Sequence, residues 1–334
     1  MMEQEKRITT DIPKNNNFDF VRFLLAMTVL CNHYIEMSGI NGIHLPISSA
    51  TAVGGFFVIS GFLIFRSYLR TSTFKTYMEK RIRRIVPAYM SIVLLCAGLL
   101  SLTSTLSCSD YFLSSEVYKY LASNATFMNF LHPTLPGVFE ENRISAINPA
   151  LWTIKIELFL YLLIPVISFS LHNHKMAFSV LAFLGIIIAS KTIEGQGGGI
   201  FMILAKDIYQ TAFFLIGILS LTYFDFLFKY KYVLLAATLP LLLLKGSGLF
   251  PFAFPIIVGI WIFFIAFTFP VFNSFGRYGD LSYGIYLFHC PIIQIFIYLK
   301  IGDATTNFAL ALLTTLLLAF LSWHLLEKKM LIRA

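Results

Sequence analysis

Apolar residues gather into blocks of about twenty, the length a helix needs to cross a bilayer, and short polar stretches part the blocks. Such runs fall at 18–38, 51–69, 86–106, 151–170, 176–190, 200–224, 232–246, 252–272, 281–300 and 307–326. Hydrocarbon offers the backbone no hydrogen-bond partner, so each block must satisfy its own N–H and C=O groups, and an α-helix does this within one segment. The pattern predicts an all-α polytopic membrane protein with about ten transmembrane helices. The runs at 176–190 and 232–246 are the shortest, and their ends are the least defined.

Composition sharpens this. Of 334 residues, 57% are hydrophobic and 13% charged, against about 45–50% and about 25% in soluble domains. A soluble core cannot absorb that much apolar surface. The 35 phenylalanines suit lipid-facing walls and interfacial belts. A net charge of +8 on a soluble chain would suggest a nucleic-acid partner; here the basic residues cluster in a few short loops and report orientation instead. With a cytoplasmic N-terminus, the inside segments hold Lys6, Arg7, Lys14, Arg22, Arg66, Arg70, Lys75, Lys80, Arg81, Arg83, Arg84, Lys175, Lys229, Lys231, Arg277, Lys328, Lys329 and Arg333. These are most of the 25 basic residues, and the basic tail EKKMLIRA returns to the same side. Both termini are expected in the cytoplasm.

Residues 1–334 are expected to form a single integral-membrane domain with no appended soluble domain, and residues 18–38 a retained first span. Four cysteines (Cys31, Cys96, Cys108 and Cys290) show no metal-ligand or disulfide-framework spacing, so no metal site is indicated. One loop, roughly 107–150 and expected outside, is long and turn-rich, with HPTLPG and INPALW in it. The glycine-rich EGQGGGI at 194–200 lacks a Walker lysine and reads as a flexible turn.

Ionisable residues inside apolar blocks are the candidates for chemistry, because lipid penalises them unless they serve a pathway or a site. In FDFVRFLLAMTVLCNHY, Arg22 and His33 lie eleven positions apart. On a helix that is close to three turns, which puts them on one face at heights differing by about 16 Å. Asp19, three residues before Arg22, can pair with it. His33 falls past the bilayer centre, either as a helix-packing hydrogen-bonder or as a catalytic group. Glu157, in NPALWTIKIELFLY, falls at a similar depth on the fourth span, either snorkelling to the headgroups or orienting an imidazole. Ser60 lies among the small residues of GGFFVISGFLIF, which allow close helix packing or a hydrogen bond near mid-span. Arg81 and Arg84, at i and i+3 before Pro87, suit either phosphate groups or a plain positive-inside anchor. His289, in GDLSYGIYLFHCPI, is a packed residue or a second site histidine.

Together these stretches resemble the integral-membrane acyltransferase family 3, the O-acyltransferases of bacterial glycans. Its Asp-x-x-Arg followed by ten residues and a histidine is matched by Asp19, Arg22 and His33, and its Phe-Phe-x-x-Ser-Gly-Phe by Phe56, Phe57, Ser60, Gly61 and Phe62. The basic motif is matched by Arg81, Arg84 and Pro87, and the Trp-Ser/Thr-Leu-x-x-Glu segment by Trp152, Thr153 and Glu157, with Leu160 and Tyr161 after it. Ser282, Tyr283, Tyr286, His289 and Pro291 match a late Ser-Tyr-x-x-Tyr-x-x-His-x-Pro. Val21 and Phe23 flank the arginine where the family has leucine and glycine, and Ile154 replaces a leucine; none of these departures removes an ionisable group.

The resemblance implies a bacterial inner-membrane enzyme that moves an acyl group, acetyl first among them, from cytosolic acyl-CoA to a hydroxyl of a cell-surface glycan or its lipid-linked precursor. It implies no permanently bound cofactor. His33 is expected as general base with Glu157 stabilising its imidazolium; Asp19, Arg22, Ser60, Arg81, Arg84, Trp152, Tyr283 and His289 are expected to bind substrate, the arginines by holding CoA phosphates. The alternative is a transporter or flippase for a lipid-linked sugar or small anion, using the same charges as a permeation path; a structural scaffold is the third reading.

Overall fold

The computed structural model describes residues 12–13 and 15–331; Lys6, Arg7, Lys14 and Arg333 of the charge argument lie outside the described residues. The main helices are α1 (Phe18–Ser38), α2 (Ser49–Leu69), α3 (Phe74–Leu99), α4 (Cys108–Leu113), α5 (Ser115–Ala125), α6 (Trp152–Glu194), α7 (Gly199–Thr222), α8 (Phe224–Leu241), α9 (Phe250–Ala266), α10 (Ser282–Leu299) and α11 (Ala304–Ser322). Among the described residues there is no strand, and nine segments are long and apolar enough to cross a membrane. The chain is an all-α polytopic membrane protein.

Nine segments and about ten expected spans are reconciled at His174. The segment Pro149–Glu194 has 46 residues, about 70 Å of helix against a hydrocarbon core of about 30 Å. His174 interrupts α6 with φ −141° and ψ 49°, leaving two arms of span length where the fourth and fifth runs were expected. α3 begins twelve residues before its apolar run, since Phe74–Ile85 is helical although rich in basic residues. α8 likewise starts at Phe224 rather than 232, and takes Lys229 and Lys231 into its first turns.

The described chain divides into two compact units. The first holds residues up to Leu25, Ala50–Tyr77 and Ile156–Arg277. Its closest helix crossing is glycine-made: a methyl group on Gly61 of α2 would stand 2.0 Å from the Phe214 carbonyl oxygen, and one on Gly217 of α7 would stand 2.0 Å from the Val58 carbonyl oxygen. The backbones therefore touch at that crossing, as small residues permit between membrane helices. Phe62, Phe224, Phe263 and Phe267 interlock with Phe18 at ring separations of 4.9–6.3 Å. Asn17, 1% exposed, donates its backbone N–H to Ala266 O and its side-chain amide to Ile265 O and Phe269 O. It thereby satisfies carbonyls that the end of α9 leaves open.

The second unit holds Ala26–Ser49, Met78–Lys155 and Tyr278 onward. α10 packs along α11, and a methyl on Gly284 would stand 2.8 Å from the Ala319 Cα. The long loop expected as irregular contains α4 and α5 and is pinned at many points. Tyr89 Oη donates to Asn124 O at 3.1 Å, and Thr105 N–H to Gly137 O at 3.0 Å. Gln294 of α10, 1% exposed, donates to Ile144 O and Ala146 O and accepts from the Asn142 amide. Asn148 donates to Leu287 O at 2.8 Å.

Candidate functional site

α1 runs without a break from Asp19 past His33, so the helix that the apolar pattern predicts carries the whole arginine–histidine motif. Asp19 and Arg22 form an ion pair one turn apart at its start. Asp19 also lies against the backbone of Gly276, where a methyl group would collide with its carboxylate.

In the second unit, His33 meets His289. His33 Nδ1 and His289 Nε2 are 2.8 Å apart, with the rings stacked at 5.1 Å between centroids. The other ring nitrogen of His289, Nδ1, is 3.0 Å from the Ile285 carbonyl oxygen one turn earlier on α10. A carbonyl only accepts, so His289 Nδ1 carries the hydrogen. In the neutral ring Nε2 is then a bare lone pair, and His33 Nδ1 must be the donor across the 2.8 Å contact. In a neutral His33 ring Nε2 then holds the lone pair, the state a general base requires. His289 is fully buried and His33 half-buried, so the second ring fixes the first while the first keeps its reach. Cys290 Sγ, also fully buried, lies 3.4 Å from His33 Nδ1 and 3.2 Å from His289 Nε2.

In the first unit, Glu157 accepts hydrogen bonds on Oε1 from Ser60 Oγ at 2.9 Å and from the Tyr161 hydroxyl. Tyr161 is one turn along α6, and its own carbonyl accepts from Tyr77 Oη at 3.3 Å. Two hydroxyl donors on one carboxylate oxygen fix the plane of the group. Gly61, beside Ser60, makes the crossing with α7, and Ser60 bonds Glu157. The sequence left packing and hydrogen bonding as alternatives for this stretch; neighbouring residues in it do each.

Arg84 donates to Asp280 and, at 3.3 Å, to Glu327 Oε2, and its guanidinium lies over the rings of Tyr283 at 5.6 Å and Trp323 at 5.5 Å. Glu327 sits in the π-helical turn Trp323–Glu327 that continues α11, and Ser322 Oγ donates to it at 2.8 Å. Tyr283 Oη donates to Ile85 O at 2.9 Å, which ties α10 to α3 beside this cluster. Arg81, one turn before Arg84, is half-buried. Trp152 is half-buried at the start of α6, and its neighbour Thr153 meets the Tyr286 hydroxyl at 2.8 Å, which in turn donates to Ala150 O. The tryptophan and late-tyrosine stretches therefore touch.

Reasoning from sequence pairs His33 with Glu157. Within its own unit each has a named partner: an imidazole for His33, two hydroxyls for Glu157. It also passed over Tyr161 as a carboxylate ligand, Asp280 and Glu327 as arginine partners, and Asn17 and Gln294 as backbone anchors. Gln294 and Glu327 carried a legible signal: polar groups within or at the end of apolar runs, which need a partner there.

Among known proteins, a family described as an acyltransferase domain matches residues 15–324. An O-acetyl transferase of Shigella phage Sf6 is 27% identical over 342 residues, covering 96% of this chain and 97% of that protein. Nodulation protein 10 of Rhizobium leguminosarum bv. viciae is 28% identical over 353 residues, covering 94% of this chain and 92% of that protein. No solved structure matches the chain. The family match runs through α1 to α11 nearly end to end, so the chain belongs to the integral-membrane acyltransferase family 3 that its motifs resembled.

Proposed function

We propose that this protein is an O-acyltransferase of the bacterial cytoplasmic membrane, with both termini in the cytoplasm, that moves an acetyl group from acetyl-CoA to a hydroxyl of a cell-surface glycan or its lipid-linked precursor. Family membership supports acyl transfer, and the name of the Shigella phage relative supports acetyl as the group moved. The observation that carries the catalytic part is the 2.8 Å contact between His33 Nδ1 and His289 Nε2, with His289 held on Ile285 O.

The acceptor hydroxyl gives its proton to His33 Nε2 as its oxygen attacks the thioester carbonyl. The carbon–sulfur bond then breaks, and the CoA thiolate recovers the proton from Nε2, so the ester and free CoA leave with atoms and charge balanced. The imidazolium formed in between is stabilised by its Nδ1–H bond to His289. Glu157, with Ser60 and Tyr161 setting the plane of its carboxylate, supplies the negative charge in this reading. Arg81, Arg84 and Arg22 hold CoA phosphates in this reading. Trp152 and Tyr283 are the further substrate-binding side chains in this reading.

The test is a His33→Ala variant of the full chain, with surface glycans followed by mass spectrometry and the purified protein supplied with labelled acetyl-CoA. Loss of a general base is expected to lower turnover by roughly 10²–10⁴-fold with membrane insertion intact. Turnover near the parent rate would remove His33 from the reaction. Movement of a labelled lipid-linked sugar across liposomes without acyl transfer would favour the transporter reading.

A further inference from the structure

His33 Nδ1, His289 Nε2 and Cys290 Sγ all lie within 4.8 Å of one another. Their separations are 2.8 Å between the nitrogens and 3.4 Å and 3.2 Å from each nitrogen to the sulfur. Around tetrahedral zinc, with bonds of about 2.0 Å to nitrogen and about 2.3 Å to sulfur, nitrogens stand about 3.3 Å apart and nitrogen and sulfur about 3.5 Å apart. The three groups need to open by only a few tenths of an ångström to accept the ion. We propose that they form a Zn²⁺ site, two imidazoles and a thiolate with the fourth position open, and that the bound ion switches acyl transfer off.

A second observation points the same way. The Ile285 carbonyl holds the hydrogen of His289 on Nδ1 and presents Nε2 as a lone pair, the arrangement that stands behind most metal-bound histidines. One soft sulfur with two imidazoles selects zinc over magnesium or calcium, which take oxygen ligands. His289 and Cys290 are fully buried while His33 is half-buried, so the ion enters on the His33 side.

Binding rearranges protons without any redox step. The Cys290 thiol releases one proton to solvent, and the Nδ1 proton of His33 moves to its Nε2 as Nδ1 takes up the metal. The nitrogen assigned as base above then carries a hydrogen and can no longer accept one. This inhibitory consequence rests on that assignment; the site itself does not.

The experiment uses the full chain purified in detergent, stripped with chelator and loaded with Co²⁺ as a spectroscopic stand-in or with Zn²⁺. One equivalent of metal is expected, with a thiolate-to-cobalt charge-transfer band. Cys290→Ser should lose the band and need at least tenfold more Zn²⁺ for half-inhibition, measured against its own metal-free rate. Cys31→Ser should keep both, and Cys290→Ala should repeat the loss if the serine variant fails to elute as folded protein. Absence of a band in the parent, or its persistence without Cys290, overturns the site. A band with undiminished transfer in saturating Zn²⁺ overturns the switch and, with it, the assignment of His33 Nε2 as base.

Discussion

Removing the acceptor behind His33 isolates what His289 does. In His289→Leu, His33 Nδ1 loses the acceptor that His289 Nε2 provides, so the tautomer with a bare Nε2 is no longer selected by that contact and the imidazolium loses a charge-assisted hydrogen bond. Hydrogen bonds to charged groups contribute about 1.5–3 kcal/mol. At about 1.4 kcal/mol per factor of ten, the loss corresponds to a fall in kcat of roughly ten- to 150-fold. His289 contacts the base rather than the reacting atoms, so KM for acetyl-CoA should stay within about twofold. His289→Gln restores an acceptor and should recover a large part of the loss. A steady-state assay with labelled acetyl-CoA reads both constants; size-exclusion elution and thermal midpoint show whether the variant is folded. Parental kcat in the leucine variant, or a change confined to KM, would refute the idea that His289 selects the protonation state of His33.

Gly61→Ala should lower the thermal midpoint by the equivalent of about 1–3 kcal/mol, because its methyl meets the Phe214 carbonyl oxygen and only separation of α2 from α7 relieves the clash. Gly217→Ala should cost a similar amount, and the double variant less than the sum, since one separation accommodates both methyls. Arg84→Met should destabilise the protein by about 3–5 kcal/mol by leaving Glu327, 3% exposed, without its counter-charge; adding Glu327→Gln should restore most of the thermal midpoint. Hydrogen bonding from the Thr306 side chain, and from the Thr306 N–H at the start of α11, holds the Asp303 carboxyl below its ordinary value of 3.8. The cap therefore stabilises above that value and is lost as pH falls through the lowered one, so Asp303→Asn should flatten the acid limb of stability against pH.

The spans were legible because the rule behind them is local: an apolar block of about twenty residues has one way to satisfy its backbone in lipid. That rule located α1, α2, α7 and α10 within a few residues, and it missed where helices extend beyond the apolar block, as α3 does from Phe74. It also placed a break near His174 without revealing that the helix resumes at once. The site was legible in its parts. His33, Glu157, Arg84 and His289 each stood out as polar groups with apolar neighbours, and depth along the spans suggested which could meet. Depth does not give azimuth, however. That His33 meets the His289 imidazole depends on how α1 and α10 are rotated about their axes, and the two histidines are 256 positions apart. The same distance hid the thiol: cysteine spacing reads metal sites built from one loop, not one assembled from two helices.

The rotation of α10 is set by polar ties rather than by grease. At about 100° per residue, Tyr283, Tyr286, Leu287, Cys290 and Gln294 fall within one stripe of about 100°. Four of these positions bond a different stretch of the second unit: Ile85 O, Thr153 with Ala150 O, the Asn148 amide, and the 142–146 segment. Hydrogen bonds between membrane helices average only about 0.6 kcal/mol each, so their sum is modest beside the packing of α10 on α11. Their effect is directional. Apolar packing tolerates a helix turned by one residue, since leucine and isoleucine cover every face of α10; such a turn would break all four ties together and swing His289 about 100° away from His33. The ties thus forbid the nearest competing arrangement, and this is what lets a helix made mostly of interchangeable apolar side chains hold two ring nitrogens 2.8 Å apart.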